Sequence, residues 1–328
     1  VTLTGVCATS ILWFVEPNNT FLWFAVIFSF FSIVANELMF VFYNALLGSV
    51  TSQKDIGRIS GWSWGVGYFG AVIALIIALV IFIQPEEAPF GLDKNNSEHV
   101  RATLLLAGAW LLIFSLPLFF FVKEASAASK ITNPFEILKT GWTEIGKISG
   151  LRRFLVARML YVDGLTVVFA FAGIFAAKVF GFSNEMVLLF AIAVNFTCGV
   201  GAFIGGWLDD RFSSFTIIRV SLVLLIIFGC GVVTAPNATY FWVLGLMTGL
   251  FIGPIQSASR SLVTHLAPPE HRAQIFGFYM LAGKITSFLG PLVYGSIVLW
   301  TDNERTGMVT AVIFFIIAFF ILGKRQPG

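Results

Sequence analysis

Runs of about twenty mostly apolar residues, the length that crosses the hydrocarbon core of a bilayer as a helix, can be laid almost end to end along this chain. They fall near 1–15, 21–46, 61–83, 102–122, 153–178, 185–208, 215–234, 239–258, 274–299 and 307–323, which predicts about ten spanning helices. Pro117, Pro254, Pro291 and Gly283 lie inside these runs, where neighbouring helices can re-satisfy the backbone groups they free. With 58% of 328 residues hydrophobic and only 11% charged, the apolar surface exceeds what a soluble core of this size can hide. The expected fold class is an all-α polytopic membrane protein.

The basic residues set the expected orientation. One set of alternate connections holds Lys54, Arg58, Lys123, Lys130, Lys139, Lys147, Arg152, Arg153, Arg211, Arg260, Arg272, Lys324 and Arg325; the other holds Lys94, Arg101, Lys178 and Arg305. Thirteen against four assigns the first set, and with it the C-terminus, to the cytoplasm by the positive-inside rule. Only the connection from Lys123 to Arg153 is long, polar and basic. It divides the chain into an N-terminal bundle of four spans over 1–122, a cytoplasmic linker over 123–152 and a six-helix bundle over 153–328. Within it, Phe135, Ile137, Leu138, Trp142 and Ile145 form an apolar stripe that predicts an interfacial helix around 135–148. A transporter built from two six-helix bundles would show six spans on each side. Two N-terminal helices are therefore expected to be missing, in keeping with an opening, VTLTGVCATS, that has neither an initiator Met nor a basic signal-peptide region.

Several function classes find no support. Cys7, Cys198 and Cys230 sit inside apolar runs without metal-ligand spacing, so no metal site is expected. His99, His265 and His271 are assigned to loops, and neither a phosphate-cradling loop nor a His-Glu-x-x-His pattern occurs. The dispersed basic residues form no nucleic-acid footprint. An enzyme and a bound cofactor are thus not expected, and work would be driven by an ion or solute gradient.

Four strings carry a resemblance: FYNALLGS (42–49), GRISGWSWGVGYFGA (57–71), FLVARMLYVDGLTVVFAFAGIFAA (154–177) and GPIQSASRSLVTHLAPPEHRAQIFGFYMLAGKITSFLGPLVYG (253–295). Together they resemble the vacuole-effluxer-like branch of the major facilitator superfamily, which groups fungal vacuolar amino-acid effluxers with bacterial permeases. The resemblance implies the major facilitator fold, with this chain corresponding to helices three to twelve of twelve. It further implies a secondary active transporter that works by alternating access. GGWLDDRFSS at 205–214 is similar to the superfamily's cytoplasmic motif, with Gly206, Asp210 and Arg211 matching. Ser213 stands where glycine is usual and no basic residue follows directly, which weakens the expected charge lock.

Charges inside a bilayer cost about 2.5–3.5 kcal/mol each even on lenient scales, so each needs a reason. Asp163 lies a dozen residues into its run, about 18 Å deep and near the midplane, with Gly164 beside it. It is the leading candidate for binding solute or a coupling ion, against a purely packing role. Arg158, five residues earlier, either joins the site or snorkels to water. Lys284, about ten residues into its own run, is expected to pair with Glu37 or Asp163, in a central cavity or as a structural bridge. Asn36 with Glu37 makes a polar stripe on the second helix; Asn195, Asn44 and Gln256 are amides that glue helices or line a site. Gly201, Gly205, Gly245, Gly249 and Gly253 follow small-xxx-small spacing for close helix approach. The partners expected are lipid, a small polar solute and a coupling proton or ion. The mixed charges and the resemblance favour an amino-acid-like zwitterion; a channel, a sensor or a membrane-embedded enzyme are the alternatives. Short outer connections point to a bacterial inner (plasma) membrane.

The charge asymmetry is directly testable. With cysteines introduced at Lys94 and Lys130, an impermeant thiol reagent applied to intact cells is expected to label position 94 alone; labelling confined to position 130 would reverse the topology.

Overall fold

The computed structural model describes residues 1–122 and 134–324, and side chains outside 123–138. The described residues are helical almost throughout: α1 (Thr2–Ile11), α2 (Leu22–Val50), α3 (Ile56–Ile77), α4 (Glu98–Phe121), α5 (Pro134–Lys147), α6 (Leu151–Phe180), α7 (Asn184–Phe212), α8 (Ser214–Thr234), α9 (Ala238–Leu266), α10 (Arg272–Ala282), α11 (Leu289–Thr301) and α12 (Glu304–Leu322). In lipid every backbone polar group must be satisfied within the chain, which is why the apolar runs become helices. Their ends are marked locally. The side chains of Ser183, Asn237 and Asn303 accept hydrogen bonds from backbone N–H groups of the first turns of α7, α9 and α12. Gly150 and Gly181, both at positive φ, bracket α6.

Eight helices among the described residues are long and apolar enough to cross a membrane: α2, α3 with its π-helical extension to Ile83, α4, α6, α7, α8, α9 and α12. Two of the ten expected spans differ. The run at 1–15 gives only the short apolar stretch Thr2–Phe14. The run at 274–299 is not one helix: α10 stops at Ala282, a turn covers 283–288, and α11 begins at Leu289. The cause is local. Pro291 offers no N–H to the carbonyl one turn back and its ring would clash with that carbonyl, while Gly283 lowers helix propensity at the other edge.

Two further boundaries move. α9 runs on past 258 to Leu266 and takes in Arg260 and His265, and α4 takes in His99, so those three residues are helical rather than in loops. The predicted interfacial helix is present as α5, where Ile145 is buried and Trp142 stacks on Phe278 of α10. Phe135, Ile137 and Leu138 fall among the residues whose side chains are not described, and Lys123, Lys130 and Arg325 lie outside the described residues.

By contact, the chain forms two units, Val1–Asn44 with Gly70–Ser129, and Ala45–Phe69 with Lys130–Gly328. In the first, α1 lies against α2 and α4: Thr9 and Ser32 share a hydrogen bond of 2.7 Å, and Arg101 stacks on the Trp13 ring while donating to its carbonyl. In the second, α6 packs on α11 and α12, α8 on α9 and α12, and α7 on α9. The glycine spacings read in the sequence make that α7–α9 seam. A Cβ on Gly201 would meet the carbonyl of Leu250, one on Gly205 the ring of Pro254, and one on Gly253 the carbonyl of Cys198. Notably, the first half of α3 belongs to this second unit, so the units do not follow the 1–122 and 153–328 division in chain order.

Candidate functional site

Within the second unit, the first half of α3 is clasped by α7 and α9. Close approach comes first. Gly57, Gly61 and Gly65 recur one turn apart along α3, and a Cβ on Gly61 would run into the backbone of Ala202 and Gly206, as one on Gly206 would into Gly61. With the two backbones in contact, the end of α7 reaches the start of α3. Asp210 Oδ1 accepts from the N–H of Gly57 at 2.8 Å and Oδ2 from that of Arg58 at 3.0 Å. A carboxylate on the positive end of a helix satisfies orphan donors and its charge complements the dipole, together about 1–2 kcal/mol. Arg211 does not join this contact; its guanidinium lies 3.8 Å from the centre of the Trp207 ring one turn back.

A second clasp lies between α3 and α9. Arg260, 2% exposed, donates through Nε to Ser60 Oγ at 2.9 Å and through Nη2 to the Ser60 carbonyl at 2.7 Å and to Ser63 Oγ. Ser60 Oγ donates in turn to the Ser257 carbonyl at 2.8 Å, and Tyr68 donates to Gln256 Oε1. Asp209, also buried, sits beside Ser214 and Ser261. None of Arg260, Ser60, Ser63 or Asp209 was singled out from the sequence. The signal available was the Gly57, Gly61, Gly65 spacing and the unbroken helical pattern after residue 258.

The other focus is the break between α10 and α11. Arg158 does not snorkel. It is 9% exposed, its Nη1 donates to the Tyr279 carbonyl at 2.7 Å, and its guanidinium lies 3.7 Å from the centre of the Tyr279 ring. It thereby serves a carbonyl freed near the end of α10, and Gly283 is the residue that leaves room for it, since a Cβ there would strike Nη1. Asp163 is fully buried, and neither carboxylate oxygen has a hydrogen-bond partner among the described residues. Thr286, in the break, is its polar neighbour, close enough to act on the carboxylate but short of a well-formed hydrogen bond, and Thr286 Oγ1 is buried without another partner among the described residues. Gly290 of α11 lies directly on the Asp163 carbonyl.

The remaining expected residues are dispersed. Lys284 lies in the break but is exposed and makes no ion pair with Asp163. Asn36 and Glu37 are half-buried on α2 in the first unit, where Asn36 donates to the Ser32 carbonyl of its own helix. Asn195 likewise donates to its own helix, at Ala191, and faces an apolar cavity of about 500 Å³ among α6, α7, α8, α9 and α12. Arg219, a charge near the start of α8 that sequence reading passed over, stacks on Phe215 and Phe319.

Residues 1–324 match the family described as vacuole effluxer Atg22 like. The chain belongs to this family. Among its relatives, this Atg22-like chain is 27% identical over 325 residues to the uncharacterized MFS-type transporter YxiO of Bacillus subtilis, covering 97% of this chain and 74% of that protein. It is 23% identical over 307 residues to Autophagy-related protein 22 of Cryptococcus neoformans, covering 86% of this chain and 52% of that protein. The chain thus spans about half the length of that fungal relative. Among solved structures, it superposes on the major facilitator transporter FucP in the outward conformation with a TM-score of 0.77 at 13% identity, over 98% of this chain and 80% of that one. The proton:xylose symporter XylE gives 0.72 at 13% identity, over 97% and 78%. At such identity the likeness shows the fold, which is that of the major facilitator superfamily. The Atg22-like chain is an integral membrane protein of a transporter family, not an enzyme.

The clasp generates a prediction. Asp210→Ala removes both acceptors from the start of α3, a loss of about 1–2 kcal/mol. A cysteine at Ile56, buried at the start of α3, is expected to react with a thiol reagent several-fold faster in that background than in the Asp210 parent. Equal rates would mean that Asp210 does not hold α3.

Proposed function

We propose that the chain is a secondary active transporter that moves a small polar solute, most simply an amino-acid-like zwitterion, across a bacterial plasma membrane by alternating access. The observation that carries this reading is Asp163: a fully buried carboxyl with no partner among the described residues, beside a break in a helix that would otherwise cross the membrane. An ionisable group so placed is costly, and discontinuous helices in transporters characteristically offer backbone groups to solute or ion. In this reading Asp163 supplies the negative charge on which transport depends, for a cationic group of the solute or for a coupling ion. Arg158 and the Tyr279 carbonyl keep the break rigid around it.

Alternating access needs an element with two arrangements, and the clasp on α3 suits that role. It is held by two helix-end hydrogen bonds at Asp210 and a polar cluster at Arg260, groups that water can replace when α3 moves away. In this reading the clasp and the C-terminus are cytoplasmic, as the positive-inside rule suggests. In that orientation it closes the inner end of the transport path.

Asp163→Asn preserves the shape of the side chain but carries no charge. The variant is expected to insert and to keep a melting temperature near that of the parent, while counterflow of labelled amino acids in proteoliposomes falls at least about tenfold, a loss of about 1.4 kcal/mol or more. Parental counterflow by a well-folded Asp163→Asn would remove Asp163 from the mechanism. A channel or a sensor would show no accelerated exchange even in the parent.

A further inference from the structure

The same break holds an arrangement that a solute does not explain. Asp163 is 0% exposed, so its carboxylate lies behind protein in this state. On one side the Gly290 backbone rests on the Asp163 carbonyl; beside it, Gly164 is covered by the ring of Phe315 and the carbonyl of Ala311. Two carboxylate oxygens and the Thr286 hydroxyl are buried together, and each lacks a hydrogen-bond partner. Buried oxygens of this kind are normally satisfied. The Thr286 hydroxyl stands beside the carboxylate without closing a well-formed hydrogen bond to it, so both keep acceptor capacity for a third group. In the same turn, the carbonyls of Ala282, Gly283 and Ile285 accept none of the main-chain hydrogen bonds that hold the turn together.

From these residues we infer that Asp163, Thr286 and the turn between α10 and α11 form a binding site for a bare monovalent metal cation of sodium's size. The inference rests on the transporter reading and deepens it by naming the occupant of its central charge. Hard cations take oxygen ligands from carboxylates, hydroxyls and carbonyls, and unwound backbone in transporters supplies them. An occupant without its hydration shell fits a carboxylate that is 0% exposed, which a zwitterion could reach only if side chains moved. Charge selects a single positive charge. One carboxylate neutralises one such charge, and the nearby Arg158 guanidinium is committed to Tyr279, so a divalent ion would leave uncompensated charge in a low-dielectric site. Beside the Asp163 carboxylate stands the uncharged Thr286, and Gly290 lies on the Asp163 backbone carbonyl.

The test is thermal unfolding of the purified protein in detergent, at fixed pH and ionic strength, as sodium chloride replaces choline chloride. Sodium is expected to raise the melting temperature saturably in the parent and in Thr286→Ser, which keeps the hydroxyl. The apparent sodium affinity is expected to fall at least about tenfold in Asp163→Asn and Thr286→Val, as loss of ligand charge or a ligand oxygen demands. Equal stabilisation by choline, a sodium response that survives in Asp163→Asn, or a response to pH alone would each overturn the site. Should a variant fail to fold, binding of radioactive sodium to the parent, with and without excess lithium, decides the matter: no saturable binding overturns it. Loss of counterflow in Asp163→Asn without any sodium binding by the parent would defeat the cation site and leave the transporter reading standing. Sodium binding abolished by Asp163→Asn with counterflow intact would do the opposite.

Discussion

The contact on which the rest of this arrangement depends is backbone against backbone, Gly61 of α3 on Gly206 of α7. No side chain fits between them. Only at that separation can the Asp210 carboxylate reach the N–H groups of Gly57 and Arg58, and only then can Ser60 and Ser63 surround the Arg260 guanidinium. The geometry of the clasp therefore lies in missing Cβ atoms, and its polar groups hold the start of α3. A contact built in this way suits an element that must separate and close again. Toward the start of α3 its hydrogen-bonding groups can be hydrated when apart, while further along Trp62 and Phe69 of α3 pack on Phe196 and Phe203 of α7.

The break between α10 and α11 obeys the opposite logic. Interrupting a helix in the membrane frees backbone groups that lipid cannot satisfy, so the surrounding residues must answer for them. Arg158 answers at Tyr279, and its fit depends on Gly283. Asp163 and Thr286 face the same break with oxygens still open. One end of the interruption is thus closed by the Arg158 guanidinium, and toward Asp163 the break presents the Thr286 hydroxyl. In the clasp the hydrogen bonds of Asp210 and Arg260 are made, with Asp209 Oδ2 left open; in the break neither Asp163 oxygen has a partner among the described residues. The first reads as a contact between moving parts and the second as a place for something that is carried.

Much of this was legible in the sequence, and what was not has physical causes. Length and hydropathy alone give the long spans, and the stripe ending in Trp142 and Ile145 gives the helix α5. The Gly201–Gly205 and Gly245–Gly249–Gly253 spacings give the α7–α9 seam, because close helix packing leaves a periodic mark. Depth along α6 was enough to single out Asp163. The break was misread because Gly283 and Pro291 are also tolerated inside continuous membrane helices; what decides between kink and break is a tertiary partner such as Arg158, 121 residues away from Tyr279. Arg260 was passed over because hydropathy drops at a charge, which ended the predicted span at residue 258 although the helix continues to Leu266. The serines that make it tolerable lie 200 and 197 residues away, where no local pattern can point to them.

The central claim is that the first half of α3 leaves α7 and α9 during the working cycle. Spin labels on cysteines substituted for Lys54, just before α3, and Arg211, at the end of α7, sit on exposed positions that the clasp holds together. Distances measured between them by pulsed electron resonance in liposomes, across sodium and pH conditions, test the claim without knowledge of the solute. The account predicts two populations, a short one matching the clasped arrangement and a longer one that gains weight when Gly61→Val wedges the seam open. A single short distance under every condition, unchanged by Gly61→Val in a folded protein, would contradict it.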